Sequence, residues 1–175
     1  VVCKDKDEEL DSEKKHLLLM GESADRLNEL KEKLLKRFDV AITTSEVDAT
    51  ILLETGVIDG IVVDEFENLD KQFSIINQIK CDKTYCTIPI ILIHNRQDSK
   101  LEEMASTYEI KGIIKPFEIA RLDLAVKTKL DSREKEEKLE EVIEKTKEET
   151  ENVYNFLFES MVNLTTSKSK ETGEH

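Results

Sequence analysis

The chain has 175 residues, of which 37% are charged, 38% hydrophobic and 5% aromatic, with no Trp and two Pro. That length suits one domain with an appendage, and the composition is too apolar for disorder throughout and too charged for burial throughout, so a core domain joined to a long solvated helix is expected. Lys and Arg number 26 against 39 Asp and Glu, a net charge of −13. This argues against sequence-independent nucleic-acid binding, which needs cations to displace counterions from phosphate, and against docking on anionic membranes.

No apolar run approaches the roughly 18 residues of a membrane helix, and the opening segment VVCKDKDEELDSEKKH has neither an apolar stretch nor a cleavage pattern. The chain lacks an initiator Met and reads as a piece cut from a longer protein. Cys3, Cys81 and Cys86 are an odd set in a non-secretory setting, expected as reduced thiols in a cytoplasmic protein. Cys81 and Cys86 have no second Cys/His pair to complete a zinc site.

Residues 1–15 are a charged, mobile lead-in. His16–Met20 is a short apolar run ending at Gly21, expected as a strand. Leu27, Leu30 and Leu34 then recur at helical spacing in Ala24–Arg37, with Ser23 as N-cap. Val40–Thr43 is a second strand, and Ser45-Glu46-Val47-Asp48 resembles a capping box opening a helix through Leu53 that Gly56 stops. Gly60–Val63 is a third strand, ending at Asp64. Phe73, Ile76 and Ile79 mark a helix over 70–80. Pro89–Ile93 is a fourth strand with Pro at its first position, where a missing N–H costs little. Ser99 and Glu102 form another capping box ahead of Leu101, Met104 and Ala105, and Gly112–Ile114 is a fifth strand followed by Lys115-Pro116.

The order is βαβαβαβαβα with continuously apolar strands, which suits a parallel sheet covered on both faces. Right-handed crossovers then give a doubly wound, five-stranded α/β sheet of flavodoxin-like type. Ligands in such sheets sit beyond the C-terminal strand ends, here Gly21-Glu22, Asp64, His94-Asn95 and Lys115-Pro116. A small-ligand site is disfavoured because no Gly-rich phosphate loop follows any strand.

From about Glu118 the pattern is helical to roughly Leu164, without Gly or Pro. Counting sevens gives Leu122, Lys129, Glu136, Ile143, Thr150, Leu157 and Leu164, with Ala125, Ser132, Leu139, Thr146, Val153 and Ser160 as partners. The seam is poor before Leu139 and fair after it. Glu134/Lys138 and Glu141/Lys145 are favourable i, i+4 pairs. Leu139, Val142, Ile143, Val153, Phe156, Leu157, Phe158, Met161 and Val162 require burial, which a parallel coiled coil between two copies would supply; the alternative is packing against a domain that lies outside this chain. The expected division is a core domain over 16–128, a coiled-coil linker over 129–165, and the start of an output domain over 166–175.

Strand order, Asp64 at the end of the third strand, and Lys115-Pro116-Phe117 after the fifth resemble the CheY-like receiver domain of two-component response regulators, over about residues 16–128. The resemblance implies that Asp64 accepts a phosphoryl group from a sensor histidine kinase, that Lys115 contacts the phosphoryl oxygens, and that acids after the first strand hold Mg²⁺, here Glu22 with Asp64. A carboxylate attacking a phosphoryl donor faces like-charge repulsion, so a divalent cation and a Lys ammonium are the chemistry the step needs. The chain departs from the family in four places. Gly21 and Glu22 replace the acidic pair; His94 replaces the small hydroxyl residue that would contact the phosphoryl group; Gly112 replaces the aromatic three positions before the Lys; and EFENLD follows Asp64 without the usual Met-Pro and Gly. Two readings stay open: a live receiver with Asp64 phosphorylated and Mg²⁺ between Glu22 and Asp64, or a pseudo-receiver acting as a dimerisation or protein-interaction module. His94 is read as a loop-edge histidine, a pH-sensitive partner for Asp64, or, the favoured reading, a steric plug.

The closing Glu171-Thr172-Gly173-Glu174-His175 after a receiver and a linker resembles the start of HD-GYP phosphodiesterases, which hydrolyse cyclic di-GMP. The resemblance implies that Glu171 and His175 are iron ligands there. Two ligands cannot build a catalytic site, so this chain is expected to be regulatory rather than an enzyme, with no catalytic residues, the parent protein being the phosphodiesterase.

Overall fold

The computed structural model describes residues 14–95, 99–115 and 117–171. The lead-in over 1–13 with Cys3, Pro116, and Thr172–His175 of the closing motif lie outside the described residues. The elements are β1 (His16–Met20), α1 (Ala24–Leu34), β2 (Asp39–Thr43), α2 (Glu46–Glu54), β3 (Gly60–Val63), α3 (Leu69–Cys81), β4 (Ile90–His94), α4 (Ser99–Thr107), β5 (Lys111–Ile114) and α5 (Ile119–Glu171). The strands form one parallel sheet in the order β2-β1-β3-β4-β5, the doubly wound arrangement expected from the sequence.

Two apolar layers sandwich the sheet, and the pleat sorts each strand between them. Leu17, Leu19, Val62, Ile91, Ile93 and Ile113 pack with Leu27 and Leu34 of α1 and with Leu122, Val126 and Leu130 of α5. Leu18, Met20, Ile61, Val63, Ile90 and Leu92 face the other way, onto α2, α3 and α4 through Leu53, Ile76, Ile79, Leu101 and Met104. Fully burying each Leu or Ile contributes about 1.5–3 kcal/mol relative to leaving it exposed, and twelve large side chains are buried to under 2% exposure.

Local chemistry sets the boundaries. Ser23 Oγ caps α1 by accepting from Arg26 N, and α1 ends at Leu34, not Arg37. There Leu35 turns the chain and Phe38 N donates to Leu34 O, burying the Phe38 ring. The Ser45 box is half-formed. Ser45 Oγ accepts from Asp48 N at 3.3 Å, while Ser45 N donates to Thr43 Oγ1 at 3.0 Å rather than to an Asp48 carboxylate. Gly56 follows α2 at φ +70°, a left-handed conformation that favours glycine. Asn68 caps α3, its Oδ1 accepting from both Asp70 N and Lys71 N. Ser99 is the first residue of α4 rather than its cap. Pro89 stands just before β4, its carbonyl accepting from Ile61 N at 3.0 Å, and β4 extends through His94.

The chain divides into two compact units, one ending at Asp131 and one beginning at Ser132. In the second, Arg133 pairs with Glu137 at 2.7 Å and Lys147 with Glu144 at 3.9 Å. Leu139, Val142, Ile143, Val153, Phe156, Leu157, Phe158, Met161 and Val162 are all exposed. No helix among the described residues is long and apolar enough to cross a membrane.

Candidate functional site

The C-terminal strand ends bring Asp64 and Lys115 together. Asp64 follows β3, with its N–H donated to Met20 O at 2.7 Å and its carbonyl accepting from Gln72 Nε2 at 3.3 Å. These contacts fix the residue and leave its side chain 3% exposed. Lys115 follows β5 and is positioned by donation of its N–H to His94 O at 2.9 Å. Its Nζ lies 2.8 Å from Asp64 Oδ1 and 3.6 Å from Glu65 Oε2.

A second cation reaches the same carboxylate. Arg26, in the first turn of α1, places Nη2 3.3 Å from Asp64 Oδ1 and Nε 3.3 Å from Oδ2. Both carboxylate oxygens are thus engaged by side-chain cations. Burial pushes the Asp64 carboxyl above its ordinary value, and the Glu65 N–H and the Arg26 charge pull it back only in part.

Glu22 and His94 border the same open cleft of about 720 Å³, together with Arg26, Asp64, Glu67 and Gln72. Glu22 is exposed, and its Oε2 accepts from Glu67 N at 2.9 Å. It ties the loop after β3 to the loop after β1. His94 lies inside β4 at its last position rather than beyond it, and is 8% exposed. Its ring rests over β5, where a β-carbon on Gly112 would stand 3.1 Å from Nε2. The large residue on β4 and the absent side chain on β5 are therefore complementary in space. Gly21 is also tightly placed, since a β-carbon there would lie 3.1 Å from Asp64 Cβ and 3.3 Å from Leu27 Cδ2.

The donor set fits Mg²⁺ poorly. The ion takes its oxygens in near-octahedral array, waters beside one or two free carboxylates, and among the described residues no group of three carboxylate, His or Cys side chains is placed to hold a metal. Asp64 is occupied by Arg26 and Lys115, and Glu22 by Glu67 N. Three contributors were missed in the sequence: Arg26, Gln72 and the Glu67 N–H. Only Ser23, which caps the helix carrying Arg26, gave any sign of them. Cys81 and Cys86 are free thiols away from this cleft.

No protein-family model matches the chain, and no curated protein matches it. Solved structures do. The signal receiver domain of an HD domain-containing protein from Pseudomonas fluorescens Pf-5 is 21% identical with TM-score 0.62, over 73% of this chain and 94% of that one. The signal receiver domain of a signal transduction histidine kinase from Syntrophus aciditrophicus is 20% identical with TM-score 0.59, over 67% and 91%. The chemotaxis protein CheY4 of Vibrio cholerae is 14% identical with TM-score 0.58, over 66% and 98%. The chain has the receiver-like α/β fold.

Proposed function

We propose that the α/β unit is the regulatory receiver module of a two-component response regulator, and that it works as a pseudo-receiver, without phosphorylation. The observation that carries this reading is the double clamp on Asp64, which is 3% exposed with Lys115 at 2.8 Å and Arg26 at 3.3 Å. A nucleophilic carboxylate must present an oxygen in line with its phosphoryl donor, and here both oxygens are already spoken for. The His94 ring over Gly112 favours the plug reading, since it fills the space in which a hydroxyl and an aromatic would otherwise move. The module then acts through what docks on its surface and through the helix from Ser132, whose exposed apolar residues support a homodimer. The length of α5 and the HD domain-containing neighbour support an output domain of HD type beyond it.

The test is intact mass after incubation with acetyl phosphate and Mg²⁺, beside an Asp64→Asn variant and a typical receiver. No adduct is expected on this chain while the typical receiver is labelled. One observation favours a second reading: the Lys115–Asp64 pair is the arrangement an acceptor site needs. A phosphoryl adduct on the parent, absent from Asp64→Asn, would replace the pseudo-receiver with a live receiver and bring back the sensor histidine kinase as partner.

A further inference from the structure

We infer that Arg26 is the resident cation of the Asp64 pocket, a side chain standing where the receiver resemblance calls for a divalent ion. A buried carboxylate must be compensated or neutralised. Here the compensation comes from inside the chain, since Arg26 meets both oxygens of Asp64 while Lys115 is shared between Asp64 and Glu65. The charges of Arg26, Lys115, Asp64 and Glu65 cancel. A divalent ion entering beside them would meet two like charges and would have to displace the guanidinium to reach an oxygen.

The anchoring of Arg26 explains why it can serve. Its backbone is fixed by the Ser23 cap on α1, and Leu27 beside it is buried in the core. The guanidinium is planar with several donors, so it can span both oxygens of one carboxylate, which a lysine ammonium cannot do in the same geometry. The side chain is 45% exposed, so removing it changes the charge of the pocket without opening a cavity in the core. The inference deepens the clamped-pocket reading above and rests on it for the role of Asp64.

Thermal unfolding of the full chain under a millimolar titration of Mg²⁺ tests it, at constant ionic strength so that screening does not change. The parent is expected to show no saturable Mg²⁺-dependent rise in Tm. Arg26→Ala leaves Asp64 with Lys115 alone in a cleft bordered by Glu22 and Glu67. It is expected to acquire a saturable rise, corresponding to an apparent Mg²⁺ dissociation constant at least about tenfold tighter than the parent's. Adding Asp64→Asn to that variant should abolish the rise. Arg26→Gln, which retains most of the stem, serves if Arg26→Ala does not fold, and Arg26→Lys, which keeps the charge but meets a single oxygen, should fall between the parent and Arg26→Ala. The inference is overturned if the parent itself is stabilised saturably by Mg²⁺ and Asp64→Asn removes the effect, or if Arg26→Ala and Arg26→Gln are both as indifferent to Mg²⁺ as the parent. The two readings fail separately. An Asp64 adduct formed from acetyl phosphate without Mg²⁺ would sink the pseudo-receiver and support Arg26 as the cation, whereas Mg²⁺ binding without an adduct would do the reverse.

Discussion

Changing Lys115 to Met removes one of the two cations facing Asp64 while preserving most of the side-chain volume. At the observed 2.8 Å the gross attraction is about 6 kcal/mol for an effective dielectric of about 20, and desolvation of both partners offsets most of it. What the substitution exposes is the burial of Asp64. Stripping a buried charge of its partner costs about 3–5 kcal/mol when nothing else compensates it. Arg26 remains at 3.3 Å and compensates in part, so we expect a loss of about 2–3 kcal/mol at neutral pH, below that range. Native-state hydrogen exchange at the β1 and β3 amides reads the α/β unit without interference from the long helix. The same substitution in an Asp64→Asn background should cost under about 1 kcal/mol, giving a coupling of about 2 kcal/mol between the two positions. If Lys115→Met costs the same in both backgrounds, Lys115 and Asp64 are neighbours without energetic linkage, and the clamp argument fails.

Other outcomes follow from the same geometry. Gly112→Val should destabilise the α/β unit by about 2 kcal/mol by driving a side chain into the His94 ring, and a His94→Ala background should remove most of that cost; equal losses in both backgrounds would place the ring elsewhere. Gly56→Ala meets no atom within 4 Å, but its φ of +70° should cost about 1–2 kcal/mol in urea unfolding from backbone strain alone. Because burial raises the Asp64 pKa, the folded state takes up a proton at higher pH than the unfolded chain, so the charged form costs stability at neutral pH and that cost is relieved as pH falls through the raised value. Relative to Asp64→Asn, the parent should therefore gain stability on acidification toward the ordinary carboxylate range; a parent that loses ground would mean that Arg26 and Lys115 hold the carboxyl below its ordinary value. Leu157→Lys, on the expected seam of the second unit, should shift the sedimenting species from dimer to monomer, and a parent that is already monomeric at high micromolar concentration would refute the dimer.

The sheet was legible because its information is local. Runs such as LLLM, GIVV and PIILI carry their own burial, so the starts of β1 and β3 fall on expectation and those of β2, β4 and β5 fall within one residue of it. Helix ends were less legible where tertiary contacts decide them. Leu35 and Arg37 continue the helical pattern of α1, but burying Phe38 bends the chain at Leu34. Ser99 looks like a cap and is the first helical residue. In the site, Asp64 and Lys115 could be paired because each ends a strand of recognisable type. Arg26 could not, since a long side chain reaching 38 positions along the sequence leaves no periodic trace, and one more charged residue on an amphipathic helix looks like solvated surface. Glu22 suits a metal ligand only through the receiver resemblance, which calls for acids after the first strand. Its hydrogen bond to Glu67 N depends on how the loop after β3 folds, which no pattern in EFENLD reveals.

Gly21 sets the terms on which a second acid could enter beside this pocket. Anyone wishing to restore a second acid would place Asp at this position, yet its first carbon would arrive 3.1 Å from Asp64 Cβ and 3.3 Å from Leu27 Cδ2. Contacts that short are tighter than most side chains tolerate, so Asp64 or Leu27 would have to give by a few tenths of an ångström to admit it. The cost of a second acid at this strand end is therefore set by how far Asp64 and Leu27 can yield, and the arginine that already meets Asp64 decides whether the new oxygens face a guanidinium or open solvent.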